Sequence, residues 1–250
     1  MPRDSSHELA YGFHPVREAL RSRPHAVRSV LTSRQRGGKR RDEIEGLCRR
    51  HGVPFERVAE TELTSQAGPA HNGFCARLVP ALPAVAEVAA DLVVLLEDVQ
   101  DPRNLGAVLR VCEGAGVGRV LVRDRGSAPI TPTVVKAAAG ATEWLAVERI
   151  VSPARSLEAL KQNGFWVYGA AAGGETPWSV DLTGRLVLCF GGEERGLRRR
   201  TRELCDGLVG LPMRGRLDSL NVATAAGALL YEAVRQRTLA ATLPGAEERG

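Results

Sequence analysis

With 250 residues, of which 44% are hydrophobic, the chain can bury the core of one large domain or two small ones, which excludes a disordered or low-complexity protein. The formal net charge of +5 is a modest bias towards polyanions, densest between Arg21 and Arg50, where 10 Arg and Lys face 3 Asp and Glu. Cys48, Cys75, Cys112, Cys189 and Cys205 are odd in number and never paired as C-x-x-C, so neither a disulfide framework nor a zinc site is expected and a reducing cytoplasm is. The opening stretch "MPRDSSHELAYGFHP" lacks an apolar signal region, and no run approaches the roughly 18 apolar residues of a membrane span.

In chain order, "PVREALRSR" reads as a helix, "VRSVLT" as a strand and "KRRDEIEGLCRRHG" as a charged helix closed by Gly52. "VPFERVA" and "GFCARLV" read as further strands, completing a small α/β unit over residues 8–79. The Pro- and Ala-rich stretch 80–90 is expected to be an interdomain linker. "DLVVLLEDV" is a β-branched apolar run typical of a strand buried on both faces. Helices are then predicted at "NLGAVLRVCEGAG", "PTVVKAAAGA", "PARSLEALKQNG" and "LRRRTRELC", and from Ser219 to Arg237; strands are predicted at "GRVLVRD", "FWVYGAAA", "RLVLCFGG" and "GLVGLP". This alternation implies a mostly parallel sheet covered on both faces over residues 91–240, followed by a polar tail, 241–250.

Ligands of open α/β sheets bind beyond the carboxyl ends of strands, so the informative residues follow the apolar runs. After the first run, "QDPRNLGAVLR" places Asn104 where a helix N-cap belongs. Arg110, six residues on and about 120° round the axis, lies in an apolar series where burial needs an anionic partner. "GGEERG" supplies glycines for close approach of backbone to a ligand, with Glu193 beside them. It matches neither G-x-G-x-x-G nor a P-loop. In "LDSLN", Ser219 and Asn221 can cap the last helix. A Ser-His-Asp triad fails because all five histidines precede the linker and no G-x-S-x-G occurs. Arg198 and Arg199, in the Arg-rich helix beside a candidate ligand loop, are read as phosphate contacts, as are Arg36, Lys39, Arg40 and Arg41 in the basic first third.

"EDVQDPRNLGAVLRVCEGAGV", "VLCFGGEERGL" and "LPMRGRLDSLNVATAAGALLYE", in that order, resemble the three motifs of the SpoU/TrmH family of the SPOUT class, S-adenosylmethionine-dependent RNA ribose 2′-O-methyltransferases. "YGFHPVREAL" and "HNGFCARL" are similar to the N-terminal substrate-binding domain of the members that methylate a guanosine in 23S rRNA. The resemblance runs from about Tyr11 to Arg237. It implies an α/β SPOUT domain with a parallel sheet and a deep trefoil knot, preceded by a small α/β RNA-binding domain, and a cytoplasmic homodimer.

It further implies that the cofactor sits in the knot, with Gly191 and Gly192 allowing close approach and Leu211, Met213 and Leu220 shaping the adenine and methionine pocket. Asn104 and Arg110 would approach the ribose and its phosphate, while Glu193, Ser219 and Asn221 complete the site without a metal. A guanidinium is effectively always protonated, so Arg110 suits anchoring better than base catalysis. Glu193 or the RNA phosphate is the chemically easier proton acceptor, and the base stays open. The second motif commonly reads G-x-E-G-x-G, and here Glu194 replaces a glycine. In the third, Ala223 precedes Thr224 where a hydroxyl often stands. A tRNA-modifying or antibiotic-resistance relative, or an RNA-binding scaffold with a vestigial pocket, are the rival readings.

Overall fold

A computed structural model describes residues 8–34, 37–79 and 90–242. Arg36 and all of the expected linker but Ala90 lie outside the described residues. The described chain forms two compact units, one of the residues up to 79 together with Ile130–Trp144, the other of the remainder.

The first unit begins with strand β1 (Glu8–Tyr11), helix α1 (Phe13–Ser22), strand β2 (Val27–Ser33), helix α2 (Lys39–His51), strand β3 (Phe55–Val58), helix α3 (Glu60–Ala67) and strand β4 (Phe74–Leu78). Its sheet has the order β1-β4-β2-β3, with β2 and β3 parallel and the other pairs antiparallel. Successive side chains of a strand point to opposite faces. Val30, Phe74, Ala76 and Leu78 accordingly join Val16, Leu20, Ile44 and Leu47 of α1 and α2 in one cluster. Leu31 and Cys75 turn to the other face and meet Leu63 of α3. Gly52 closes α2 at φ 69°, as its position in the sequence predicts. β1 and α3 have no counterpart in the sequence reading: β1 is four residues long, and α3 buries only Leu63, too little for a helical period to stand out.

The second unit continues with strand β5 (Leu92–Leu96), helix α4 (Pro102–Gly114) and strand β6 (Arg119–Arg123). The next helix, α5 (Pro132–Ala137), belongs to the first unit. Strand β7 (Ala146–Ile150), helix α6 (Pro153–Gln162), strand β8 (Trp166–Glu175), strand β9 (Leu186–Phe190), helix α7 (Arg199–Leu204), strand β10 (Gly207–Val209) and helix α8 (Val222–Thr242) follow. All six strands are parallel, in the order β10-β8-β9-β5-β6-β7. Val93 and Leu95 of β5 pack with Leu157 and Leu160 of α6, and the alternate residues Val94 and Leu96 are buried equally. Helices therefore cover both faces, as expected of an all-parallel sheet. β7 escaped the sequence reading because "AVERI" is an edge strand whose only fully buried residue is Ile150.

The last helix begins three residues later than expected and runs through Ala241 and Thr242, the first two residues of the expected tail. Cys48, Cys75, Cys112 and Cys189 are buried free thiols; burial pushes Cys48 up to about 12 and Cys75 to about 11.

Within the first unit, Glu143 accepts two bonds from Arg23, 2.6 Å from Nε and 3.0 Å from Nη2, and one from the Ser22 hydroxyl at 3.1 Å. Both charged residues are buried. A buried guanidinium that loses its carboxylate has no water to replace it, so Glu143→Ala should cost about 3–5 kcal/mol in urea denaturation of the full chain. A change below about 1 kcal/mol would show that water reaches the pair.

Candidate active site

β5 and β9 are neighbours in register, Leu96 opposite Phe190, so the loops leaving their carboxyl ends emerge side by side. The β5 loop supplies two anchors for the β9 loop. Glu97, buried, accepts the Thr201 hydroxyl at 2.8 Å and the Arg198 backbone N–H at 3.2 Å. Asp98 accepts Arg198 at 2.7 and 3.2 Å and Arg123 at 2.7 Å. Burial opposes ionisation of Asp98, but the Arg198 bond and the charges of Arg198 and Arg123 outweigh it and hold the carboxyl below its usual range.

The β9 loop, "GGEERG", is a tight turn closed by a bond from the Gly196 N–H to the Gly192 carbonyl at 2.9 Å. A Cβ on Gly191 would lie 2.0 Å from the Gly196 carbonyl carbon, and one on Gly192 would lie 2.5 Å from the Asp98 carbonyl oxygen. The close approach that glycine permits is thus made to the protein's own backbone. The left-handed residue of the turn is Gly196, φ 61°, whereas Glu194 has ordinary negative φ. Replacing the usual motif glycine by Glu194 therefore costs this loop no backbone strain.

Asp101, not Asn104, caps α4: its carboxylate accepts the Arg103 N–H at 2.7 Å, with Pro102 in the first helical position. Asn104 is thereby freed for a different partner. Its amide donates to Glu193 Oε1, and the Asn221 amide donates to the same oxygen at 3.0 Å and to Asn104 Oδ1 at 2.9 Å. Asn221 also caps α8, its Oδ1 accepting the Ala223 N–H at 2.9 Å. Residues from all three motifs thus meet in one closed set of hydrogen bonds, with Glu193 Oε2 left open to an incoming donor.

Two cavities flank this set. One, of about 450 Å³, is walled by Gly191, Gly192, Leu211, Met213 and Leu220, which the resemblance assigns to the cofactor, by Ser219, which it assigns to the reacting groups, and by Ala170–Ala172, Gly210 and Asp218. The other, of about 430 Å³, lies on the Asn104 side and shares Gly192, Glu193 and Val222 with the first. The run Gly169–Gly174 at the end of β8 was the available sign of the Ala170–Ala172 wall: small residues placed where a parallel strand ends.

Arg110 departs from the sequence reading. It is exposed, lines neither cavity and has no hydrogen-bond or ion-pair partner among the described residues. Leu105, Val108, Leu109 and Cys112 carry the buried face of α4, and Arg110 falls outside it, so no cost of burying the charge arises. Arg198 is tied to Asp98, while Arg199 is 92% exposed and pairs with Glu203. Lys39, Arg40 and Arg41 lie on the first turn of α2, with Arg40 over the Phe13 ring at 5.1 Å. Among the described residues no group of three or more His, Cys, Asp or Glu is arranged to hold a metal ion, and no helix is long and apolar enough to cross a membrane.

A parallel α/β domain with two adjoining cavities at its strand ends defines a ligand-binding enzyme scaffold. The chain belongs to the SpoU rRNA Methylase family, which it matches over residues 91–231, and residues 9–84 match the RNA 2′-O ribose methyltransferase substrate-binding family. It is 42% identical over 237 residues to the 23S rRNA (guanosine-2′-O-)-methyltransferase RlmB of Xanthomonas axonopodis pv. citri, covering 90% of this chain and 95% of that one. The RlmB of Pseudomonas putida is 39% identical over 92% and 97% of the two chains. Among solved structures, AviRb of Streptomyces viridochromogenes in complex with AdoMet superposes with TM-score 0.78 at 26% identity, over 94% of this chain and 92% of that one. The A. aeolicus TrmH/SpoU tRNA modifying enzyme covers 63% of this chain and 80% of its own, with TM-score 0.56 at 28% identity.

Asn221 serves both helix and site, and the two roles separate by substitution. Asn221→Asp keeps an oxygen for the Ala223 N–H but sets an acceptor against Glu193. The melting temperature should stay near that of the native chain while methyl transfer falls at least roughly tenfold. Asn221→Ala should lose both, with about 1 kcal/mol of stability. Native-level activity in Asn221→Asp would show that the bridge to Glu193 is idle.

Proposed function

We propose that the protein methylates the ribose 2′-hydroxyl of a guanosine in 23S rRNA, using S-adenosylmethionine, as a cytoplasmic homodimer. The observation that carries this reading is the hydrogen-bonded set Asn104–Glu193–Asn221 standing on the wall between two cavities. One cavity suits a methyl donor and the other a nucleoside. The near full-length likeness to two 23S rRNA methyltransferases supports the substrate, and the substrate-binding family match at residues 9–84 supports an RNA-capturing first domain. The tRNA modifying relative aligns with only 63% of this chain, which favours rRNA over tRNA. A vestigial pocket is disfavoured because three motif residues remain bonded to one another across the site.

The first cavity fits the cofactor on its own chemistry. Leu211, Met213 and Leu220 give apolar walls, the glycines leave backbone bare, and Asp218 offers a carboxylate with no partner among the described residues. When bound, S-adenosylmethionine supplies an electrophilic sulfonium methyl. The chain's part is then to place a weakly acidic hydroxyl in line and take one proton, so positioning carries most of the rate. Glu193 Oε2 is the acceptor we assign. The two amides on Oε1 fix the carboxylate, and Ser219 lines the methyl-donor cavity that Glu193 borders.

Arg110, exposed and unpaired among the described residues, suits an RNA phosphate better than a structural role. The trefoil knot belongs to the same proposal. It is supported by the family match over residues 91–231.

Calorimetric titration with S-adenosylmethionine and mapping of 2′-O-methyl sites in 23S rRNA from a deletion strain test the reading. No heat of binding, or an unchanged methylation map, would sink it. Arg110→Ala should alter stability by less than about 0.5 kcal/mol and lower kcat/KM by at least roughly a hundredfold, with cofactor affinity intact. Loss of folding would make Arg110 structural. Neutralising Lys39, Arg40 and Arg41 together should flatten the salt dependence of RNA binding by about one unit of slope per lost contact; an unchanged slope would move the RNA footprint elsewhere.

A further inference from the structure

The second cavity contains four carboxylates, and three are engaged. Asp98 is held by Arg198 and Arg123, Asp101 caps α4, and Glu193 is bonded to Asn104 and Asn221. Glu194 lines the same cavity from the tip of the β9 turn and has no hydrogen-bond or ion-pair partner among the described residues. The donors divide in the same way: Arg198 is committed to Asp98, whereas Arg195 and Gln100 line the cavity without a partner. Besides Glu193 Oε2, assigned above to the ribose hydroxyl, the side chains facing this space without a partner among the described residues are therefore one carboxylate, one guanidinium and one amide.

We propose that Glu194 selects the base, its carboxylate accepting the N1–H and N2 amino group of the target guanine while Arg195 and Gln100 donate to O6 and N7. The inference rests on the guanosine 2′-O-methylation reading and names a specificity determinant for that same site. Guanine alone presents two adjacent donors on its Watson–Crick edge beside a carbonyl acceptor, the complement of this set. Adenine and cytosine would turn a ring-nitrogen lone pair towards the carboxylate, and uracil offers a single N–H between two carbonyls. The placement agrees with the ribose geometry. Glu193, the proposed proton acceptor, lines both cavities and Glu194 only the second, so the second cavity has room for a nucleoside with its 2′-hydroxyl at Glu193 and its base at Glu194.

The substitution is well suited to test, because Glu194 is exposed, has negative φ and bonds to nothing that folds the loop. RNA fragments carrying guanosine, inosine or adenosine at the position the native enzyme methylates provide the probe, inosine lacking only the N2 amino group. The native enzyme should lose about tenfold in kcat/KM on inosine and at least roughly a hundredfold on adenosine. Glu194→Gln should bring the guanosine-to-inosine ratio close to one, chiefly through KM, with S-adenosylmethionine affinity by calorimetry unchanged. A native enzyme that methylates guanosine, with the ratio untouched in Glu194→Gln, overturns this inference and leaves the function standing. A native enzyme that binds the cofactor and RNA but methylates no guanosine overturns both.

Discussion

Two consecutive carboxylates at the carboxyl end of β5 are the constraint on which the site depends. Glu97 points into the core and takes the Thr201 hydroxyl and the Arg198 N–H; Asp98 takes two guanidinium groups. A buried carboxylate is tolerated only when fully hydrogen-bonded, and Glu97 meets its need from the segment that must be held. The chain leaving β9 is thereby fastened to β5 at the start of α7. With that segment fixed, Glu193 stands opposite Asn104, and Asn221 closes the set from the start of α8. Neighbouring strands bring the first two motifs together; the cap of α8 brings the third.

This arrangement accounts for a catalytic half without histidine. Where the reacting methyl already carries the driving force, the protein needs one oriented acceptor rather than an imidazole relay. On the proposed assignment of Glu193 as that acceptor, the two amides that converge on its Oε1 provide the orientation by fixing one oxygen and leaving the other open. Asparagine suits the task because its amide donates while its oxygen accepts, so Asn104 receives from Asn221 and gives to Glu193 with a single side chain.

The parallel sheet and the three motif loops were legible in the sequence because each is local: an apolar run followed by polar residues and glycines. Gly191, Gly192, Leu211, Met213 and Leu220, which the family resemblance named, line one cavity because they lie in those same loops. The cap of α4 was misplaced because Asp101 and Asn104 are both good caps three residues apart, and the first helical turn has no apolar residue to mark where the helix begins. Arg110 stands in an apolar stretch of sequence yet is exposed, because an apolar neighbourhood in sequence is not an apolar face and the buried positions of α4 pass it by. The clamp on Asp98 could not be read at all, since Arg123 and Arg198 reach it from 25 and 100 residues away. Likewise the Ala170–Ala172 wall joins the cavity only because β8 lies between β9 and β10.

Asn221 gives the site a dependence on folding that its chemistry does not demand. One oxygen holds the first turn of α8 and one nitrogen holds Glu193, so fraying of that turn releases the carboxylate in the same event. Local opening at the start of α8 and release of Glu193 are thus a single cooperative transition, and, with Glu193 as the proposed acceptor, hydrogen exchange at the Ala223 amide would report how often the enzyme is momentarily disarmed.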